Sequence, residues 1–186
     1  MRELSLNVLD IVQNSVAAHA TLVEIEVVEA DCVMTIRIRD NGAGMDARQL
    51  RAVSDPFYTT RTTRKVGMGI PLYRLAAEQT GGTLTVESER GSGTCVTAVF
   101  HTDSVDCAPL GDMASTLCVL VGANAAVDFV YSHRTVRGDF TLDTRELRRM
   151  MDGVPLGEPA VLGWIRDYIR EQTEKIGGGA LNFEND

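Results

Sequence analysis

The chain has 186 residues, 44% hydrophobic and 24% charged, a composition that suits a folded protein and argues against disorder. With 18 basic and 26 acidic residues the formal net charge is −8, which disfavours nucleic-acid or anionic-membrane binding but leaves room for a small basic pocket. No apolar run reaches the ~18 residues of a membrane span, and four cysteines without Cys-x-x-Cys spacing, behind no leader-like segment, read as reduced thiols of a cytoplasmic protein.

Residues 3–18 read as a helix, with Leu4, Val8, Ile11, Val12 and Ser15 on one side and Asn7, Asp10, Asn14 and Ala17 on another. Residues 22–29 and 33–39 then alternate apolar and polar, as a hairpin with one wet face does. Asp40-Asn-Gly-Ala-Gly breaks the second strand. Asp46 and Gln49 have capping-box spacing for a short helix ending before Pro56. Residues 58–67 read as a polar, basic loop. Residues 70–80 read as a helix with Pro71 in its first turn and Gly81-Gly82 after its end. Residues 83–88 and 94–100 are strands around a glycine-rich turn. Strands beside helices predict an α+β sandwich, helices on one face of a sheet.

Residues 1–102 carry 10 basic and 12 acidic side chains, and residues 103–186 carry 8 and 14. The acidity therefore belongs mainly to the second part, which reads as a small acidic α/β extension after a first domain over 1–102. In it, 117–121 and 127–132 are expected as strands, 144–152 as a helix capped by Asp143, and 159–175 as a longer helix opened by Pro159. Trp164 on that helix suits an interface anchor, and a core or lid role at least as well.

Four local patterns carry chemistry. Asp10 and Asn14 are one helical turn apart, so a carboxylate and an amide oxygen can serve one Mg²⁺ and its waters; a solvated or hydrogen-bonded helix face is the plainer alternative. Asp40 follows a strand directly, where a buried carboxylate needs donors such as the adenine amino group; a tight turn with a side-chain hydrogen bond would look the same. Gly67-Met-Gly-Ile-Pro opens a helix, and backbone N–H groups there attract anions. Arg61, Arg64 and Lys65 just upstream make it a candidate polyphosphate site, or a solvated basic loop before an ordinary helix start. Gly91-Ser-Gly-Thr94 alone reads as a hairpin turn.

The order and spacing of these patterns resemble the ATPase superfamily that unites gyrase B, the ninety-kilodalton heat-shock chaperone, sensor histidine kinases and mismatch-repair MutL. Asp10-Ile-Val-Gln-Asn14 is similar to its N-box and Asp40-Asn-Gly-Ala-Gly-Met45 to its G1 box. Asp55-Pro-Phe-Tyr-Thr-Thr-Arg61 is similar to the F-box of the sensor-kinase branch, and Gly67-Met-Gly-Ile70 to the G2 box. Residues 81–88 with Gly93-Thr94 are similar to the closing strands. The resemblance implies a Bergerat-type two-layer α/β sandwich binding ATP with Mg²⁺.

By the same resemblance, Asn14 would hold Mg²⁺ and Asp40 would accept from the adenine amino group, with Thr94 helping through a water. Gly42 and Gly44 would floor the adenine pocket. Residues 58–66 would form a lid, and Gly67 and Gly69 would bring N–H groups to the phosphates. Arg61, Arg64 or Lys65 would reach the phosphates. Met45, Phe57, Thr60, Met68 and Ile70 belong to the same boxes and would line the nucleotide. The general-base position holds Asp10, one methylene shorter than the Glu of gyrase and MutL relatives.

Sensor kinases phosphorylate a histidine on a helical hairpin ahead of this domain, and here the first helix begins near residue 3. None of His19, His101 and His133 lies in a dimerisation-helix pattern. The expectation is ATP hydrolysis or phosphoryl transfer to a separate protein partner. The alternative is a nucleotide-sensing interaction module with little turnover. Residues 109–116 and 142–147 resemble the tail of small stand-alone bacterial ATP-binding proteins. No oligomeric state is implied.

Overall fold

A computed structural model describes residues 3–54 and 69–179. In chain order these form α1 (Leu4–Ala17), β1 (Leu22–Ala30), β2 (Val33–Asp40), α2 (Ala47–Ser54), α3 (Gly69–Gln79), β3 (Thr83–Glu89) and β4 (Gly93–His101). They continue as α4 (Met113–Ala123), β5 (Asp128–Thr135), β6 (Gly138–Asp143), α5 (Thr144–Met150) and α6 (Pro159–Lys175).

The strands make one six-stranded sheet in the order β3-β4-β2-β1-β5-β6. All pairings are antiparallel except β1 with β5. The predicted alternation appears as burial: Val23, Ile25 and Val27 of β1 and Met34, Ile36 and Ile38 of β2 are buried, while Glu24, Arg37 and Arg39 are exposed. Directly paired residues share a face. Ile25 therefore lines up with Ile38 on one side and Tyr131 on the other, and Ile38 with Val96, as one apolar surface. α1 and α3 lie against this surface, and α4 sits between α1 and α6. The two-residue link between β1 and β2 is Asp31-Cys32, both at positive φ, the backbone that matches strand twist in a hairpin.

One expectation for the second part is corrected. Residues 117–121, read as a strand, lie inside α4, with Leu117, Leu120 and Val121 buried at helical spacing. β6 was not anticipated, and it pairs with β5. The strands after residue 103 do not form a sheet of their own, because β5 adds to the edge of β1. Buried residues from both parts form a single core cluster. All four cysteines are free thiols. Among the described residues, no helix is long and apolar enough to cross a membrane.

Candidate functional site

Three strands end together in polar residues on the otherwise apolar face. Ser88 pairs with Thr94. Extending the Arg39–Cys95 pairing by one residue sets Asp40 opposite Thr94. Ser88, Thr94 and Asp40 thus stand in a row at one end of the sheet, and Asp40 is buried.

A buried carboxylate requires donors, and Asp40 has three. Ser15 Oγ of α1 donates to Asp40 Oδ2 at 2.6 Å. The Gly42 and Thr94 N–H groups donate to Oδ1 at 2.9 and 3.2 Å. Three donors aimed at one carboxyl hold it as an acceptor. Its remaining lone pairs suit a donor from a ligand.

The turn after Asp40 is clamped between α1 and the β3–β4 turn. Ala43 N–H donates to Ala18 O, and Gly91 N–H to Ala43 O. Asn41 Oδ1 accepts from the Thr21 and Leu22 N–H groups, so this side chain holds the start of β1. At Gly42 a Cβ would lie 2.7 Å from Ala18 O. Gly44 has φ +65°, and a Cβ there would collide with the Glu89 carbonyl. The glycines make the close approach possible. Met45 N–H donates to Ser88 Oγ at 2.8 Å.

α1 carries Asp10, half-buried, and Asn14, exposed, one turn apart. No side chain caps this helix. Instead its Leu4 and Ser5 N–H groups donate to the Pro109 and Leu110 carbonyls. Gly69, first residue of α3, packs on the same face, where a Cβ would lie 3.3 Å from Asp10 Cβ and 3.9 Å from Asn14 Nδ2. The N-terminus of α3 is thus brought to the Asp10–Asn14 pair, a placement suited to an anion with a cation beside it. Ile70 is buried in the core, so its backbone is what it can offer a ligand.

Asp10, Asn14, Asp40, Gly42, Gly44, Met45, Gly69, Ile70 and Thr94 therefore sit on elements that converge: α1, the turn after β2, the N-terminus of α3 and the start of β4. Phe57, Thr60, Arg61, Arg64, Lys65, Gly67 and Met68, with the whole lid segment 58–66, lie outside the described residues. Ser15 and Ser88 were not anticipated. The signal for each was a lone serine on an apolar pattern: Ser15 on the stripe of α1, and Ser88 in step with Leu84 and Val86 on β3.

These residues offer a ligand an accepting carboxylate, glycine-lined close approaches, and the N-terminus of α3 beside a carboxyl and an amide side chain. Residues 1–104 match the family model described as "Histidine kinase-, DNA gyrase B-, and HSP90-like ATPase". Sporulation kinase E of Bacillus subtilis (strain 168) is 38% identical over 79 residues, 42% of this chain and 10% of that protein. Sensor histidine kinase ZraS of Escherichia coli (strain K12) is 35% identical over 69 residues, 37% of this chain and 15% of that protein. The chain thus spans a small fraction of the length of these relatives. A solved structure described as the N terminal domain of a DNA repair protein shares the fold, with TM-score 0.50 and 21% identity over 77% of this chain and 52% of that one.

Proposed function

The chain belongs to the histidine kinase-, DNA gyrase B- and HSP90-like ATPase family, and from that premise we propose that it binds Mg-ATP at the convergence of α1, the 40–45 turn and α3 and uses it for slow hydrolysis or for phosphoryl transfer to a partner protein. The observation that supports this reading best is Asp40, buried and held as an acceptor by three donors. Adenine presents a donor amino group where guanine presents an oxygen.

When bound, Mg-ATP supplies the γ-phosphoryl group, with its charge shared by the metal. Asp40 takes the adenine amino group, and Gly42 and Gly44 let the base approach the backbone. Asn14 offers the metal an oxygen ligand. The backbone at the start of α3 meets the phosphates, joined by Arg61, Arg64 or Lys65 from the segment before it. Asp10 orients or deprotonates the attacking group. A base must lie within hydrogen-bond reach of the proton it takes, and the short Asp10 side chain reaches less far than Glu. That suits slow turnover and, at its limit, the second reading, a nucleotide sensor with little turnover. A transferred phosphoryl group needs an acceptor elsewhere than His133, which is fully buried against Glu29.

Asp40→Asn turns an amide toward the donors that now meet a carboxylate. It should lose at least tenfold in ATP affinity by calorimetry, with an unchanged circular-dichroism spectrum. Normal affinity would remove Asp40 from adenine recognition. At equal ATP occupancy, Asp10→Asn should slow phosphate release by about 10²-fold or more. Equal rates would leave Asp10 no role as base. Incubation with γ-labelled ATP separates the outcomes: released phosphate marks an ATPase, label on a partner a kinase, and retained intact nucleotide a sensor.

A further inference from the structure

We infer that Ser88 fixes the direction of the Thr94 hydroxyl, so that the pocket selects a 6-amino purine through two acceptors rather than one. The inference rests on the ATP-site reading above.

A serine hydroxyl has one proton and two lone pairs. At Ser88 Oγ three neighbours use all of them. Met45 N–H donates to it at 2.8 Å and occupies one lone pair. The Gly93 carbonyl, 2.9 Å away, can only accept, so it takes the Ser88 proton. The remaining neighbour is Thr94 Oγ1 at 2.8 Å, and only a lone pair is left for it. With all three bonds made together, Thr94 donates to Ser88. Its single proton is spent, and its oxygen presents lone pairs alone to anything else.

Thr94 stands beside Asp40 in the row across β2, β4 and β3, and its own N–H reaches the Asp40 carboxylate. The carboxylate is also an acceptor. An exocyclic amino group has two hydrogens, one for Asp40 and one for Thr94, directly or through a water that accepts from the amine and donates to Thr94. An oxo group in the same place would face acceptors on both sides. Ser88 thus acts as a positioning residue, working through Thr94 rather than on the ligand.

The test is affinity, with Mg²⁺, for three nucleotides: ATP with its 6-amino group, inosine triphosphate with a 6-oxo group, and purine riboside triphosphate with hydrogen there. In Ser88→Ala the Thr94 hydroxyl is free to turn and donate. The ratio of ATP to inosine triphosphate affinity should then fall about five- to tenfold, the worth of roughly one hydrogen bond. Affinity for purine riboside triphosphate should stay the same, and Ser88→Thr, which restores a hydroxyl, should restore the ratio. A merely structural Ser88 would weaken all three nucleotides together, and that result overturns the inference. So does a Ser88→Ala variant with the wild-type ratio. Wild-type protein that binds ATP and inosine triphosphate equally would overturn the ATP-site reading and the inference together.

Discussion

At the scale of single residues, the polar groups at the sheet end each have hydrogen-bond partners, and this marks them off from Tyr73. Tyr73 on α3 is fully buried, its ring 5.6 Å from Phe100, and among the described residues its hydroxyl has no hydrogen-bond partner. Burial pushes its phenol pKa up. An unpaired buried hydroxyl costs about 1–3 kcal/mol. Tyr73→Phe should therefore raise Tm by a few degrees, roughly 2–4 °C per kcal/mol for a chain of this size, and leave ATP affinity unchanged. A lower Tm would mean that the hydroxyl is paired. The same contrast explains what could be read from the sequence. Asp40, Gly42 and Gly44 announce themselves, because an acid and two glycines at a strand end are unusual company. Ser15 and Ser88 do not, because a serine packs into an apolar stripe at little cost, and only the partner atom shows that it is a donor or a relay.

At the scale of elements, the helices legible in the sequence were those with a polar side. The apolar stripe and the caps placed α1, α3, α5 and α6 within a residue or two. α4 failed because Leu117–Val121 is apolar all round, and a short run of that kind has no period to separate helix from strand. Its start was nevertheless marked. Asp112 caps α4 by accepting from Ser115 N–H at 2.9 Å and Ser115 Oγ at 2.7 Å, and Arg170 of α6 donates to it at 2.7 Å. Partial burial by itself would raise this carboxyl pKa, but the hydrogen bonds from Ser115 and Arg170 outweigh it and bring the value to about 2. A pKa depressed on folding adds stability above the unfolded value near 3.8, lost as pH falls toward 2. Because the side chain is 43% exposed, solvent screening cuts the effect to about 1 kcal/mol. Asp112→Asn should cost about that much in urea unfolding at pH 7, and the gap between variant and wild type should narrow between pH 4 and pH 2. A gap constant with pH would assign the loss to packing instead of charge.

At the scale of the whole molecule, the charge shift near residue 102 and the core disagree about where a boundary lies. Net charge counts surface residues, and these do change there. Cooperative folding follows the buried ones, which run on across that point: Phe129 and Tyr131 of β5 continue the apolar surface of β1, and Leu117 and Leu120 of α4 join the same cluster. The first turn of α1, one turn ahead of Asp10, is closed by the carbonyls of Pro109 and Leu110. The far end of the sheet is tied as well. His133 Nε2 lies 2.6 Å from Glu29 Oε1, and Gly179 N–H donates to the same oxygen at 2.8 Å. Between them Gly178 crosses His133 so closely that a Cβ would come within 2.6 Å of its ring. A chain ending at residue 104, where the family match stops, would expose the edge of β1 with its unpaired backbone groups and leave the α1 donors open. We expect that fragment to aggregate or to lack a cooperative melt and to bind no ATP, whereas the full chain should melt cooperatively and bind it. Gly178→Val is the milder form of the same test, expected to lower Tm through the clash with His133 while ATP affinity at the opposite end of the sheet holds. A fragment that melted cooperatively and bound ATP like the full chain would make residues 105–186 a separable attachment, and the shared core would then be a matter of contact without dependence.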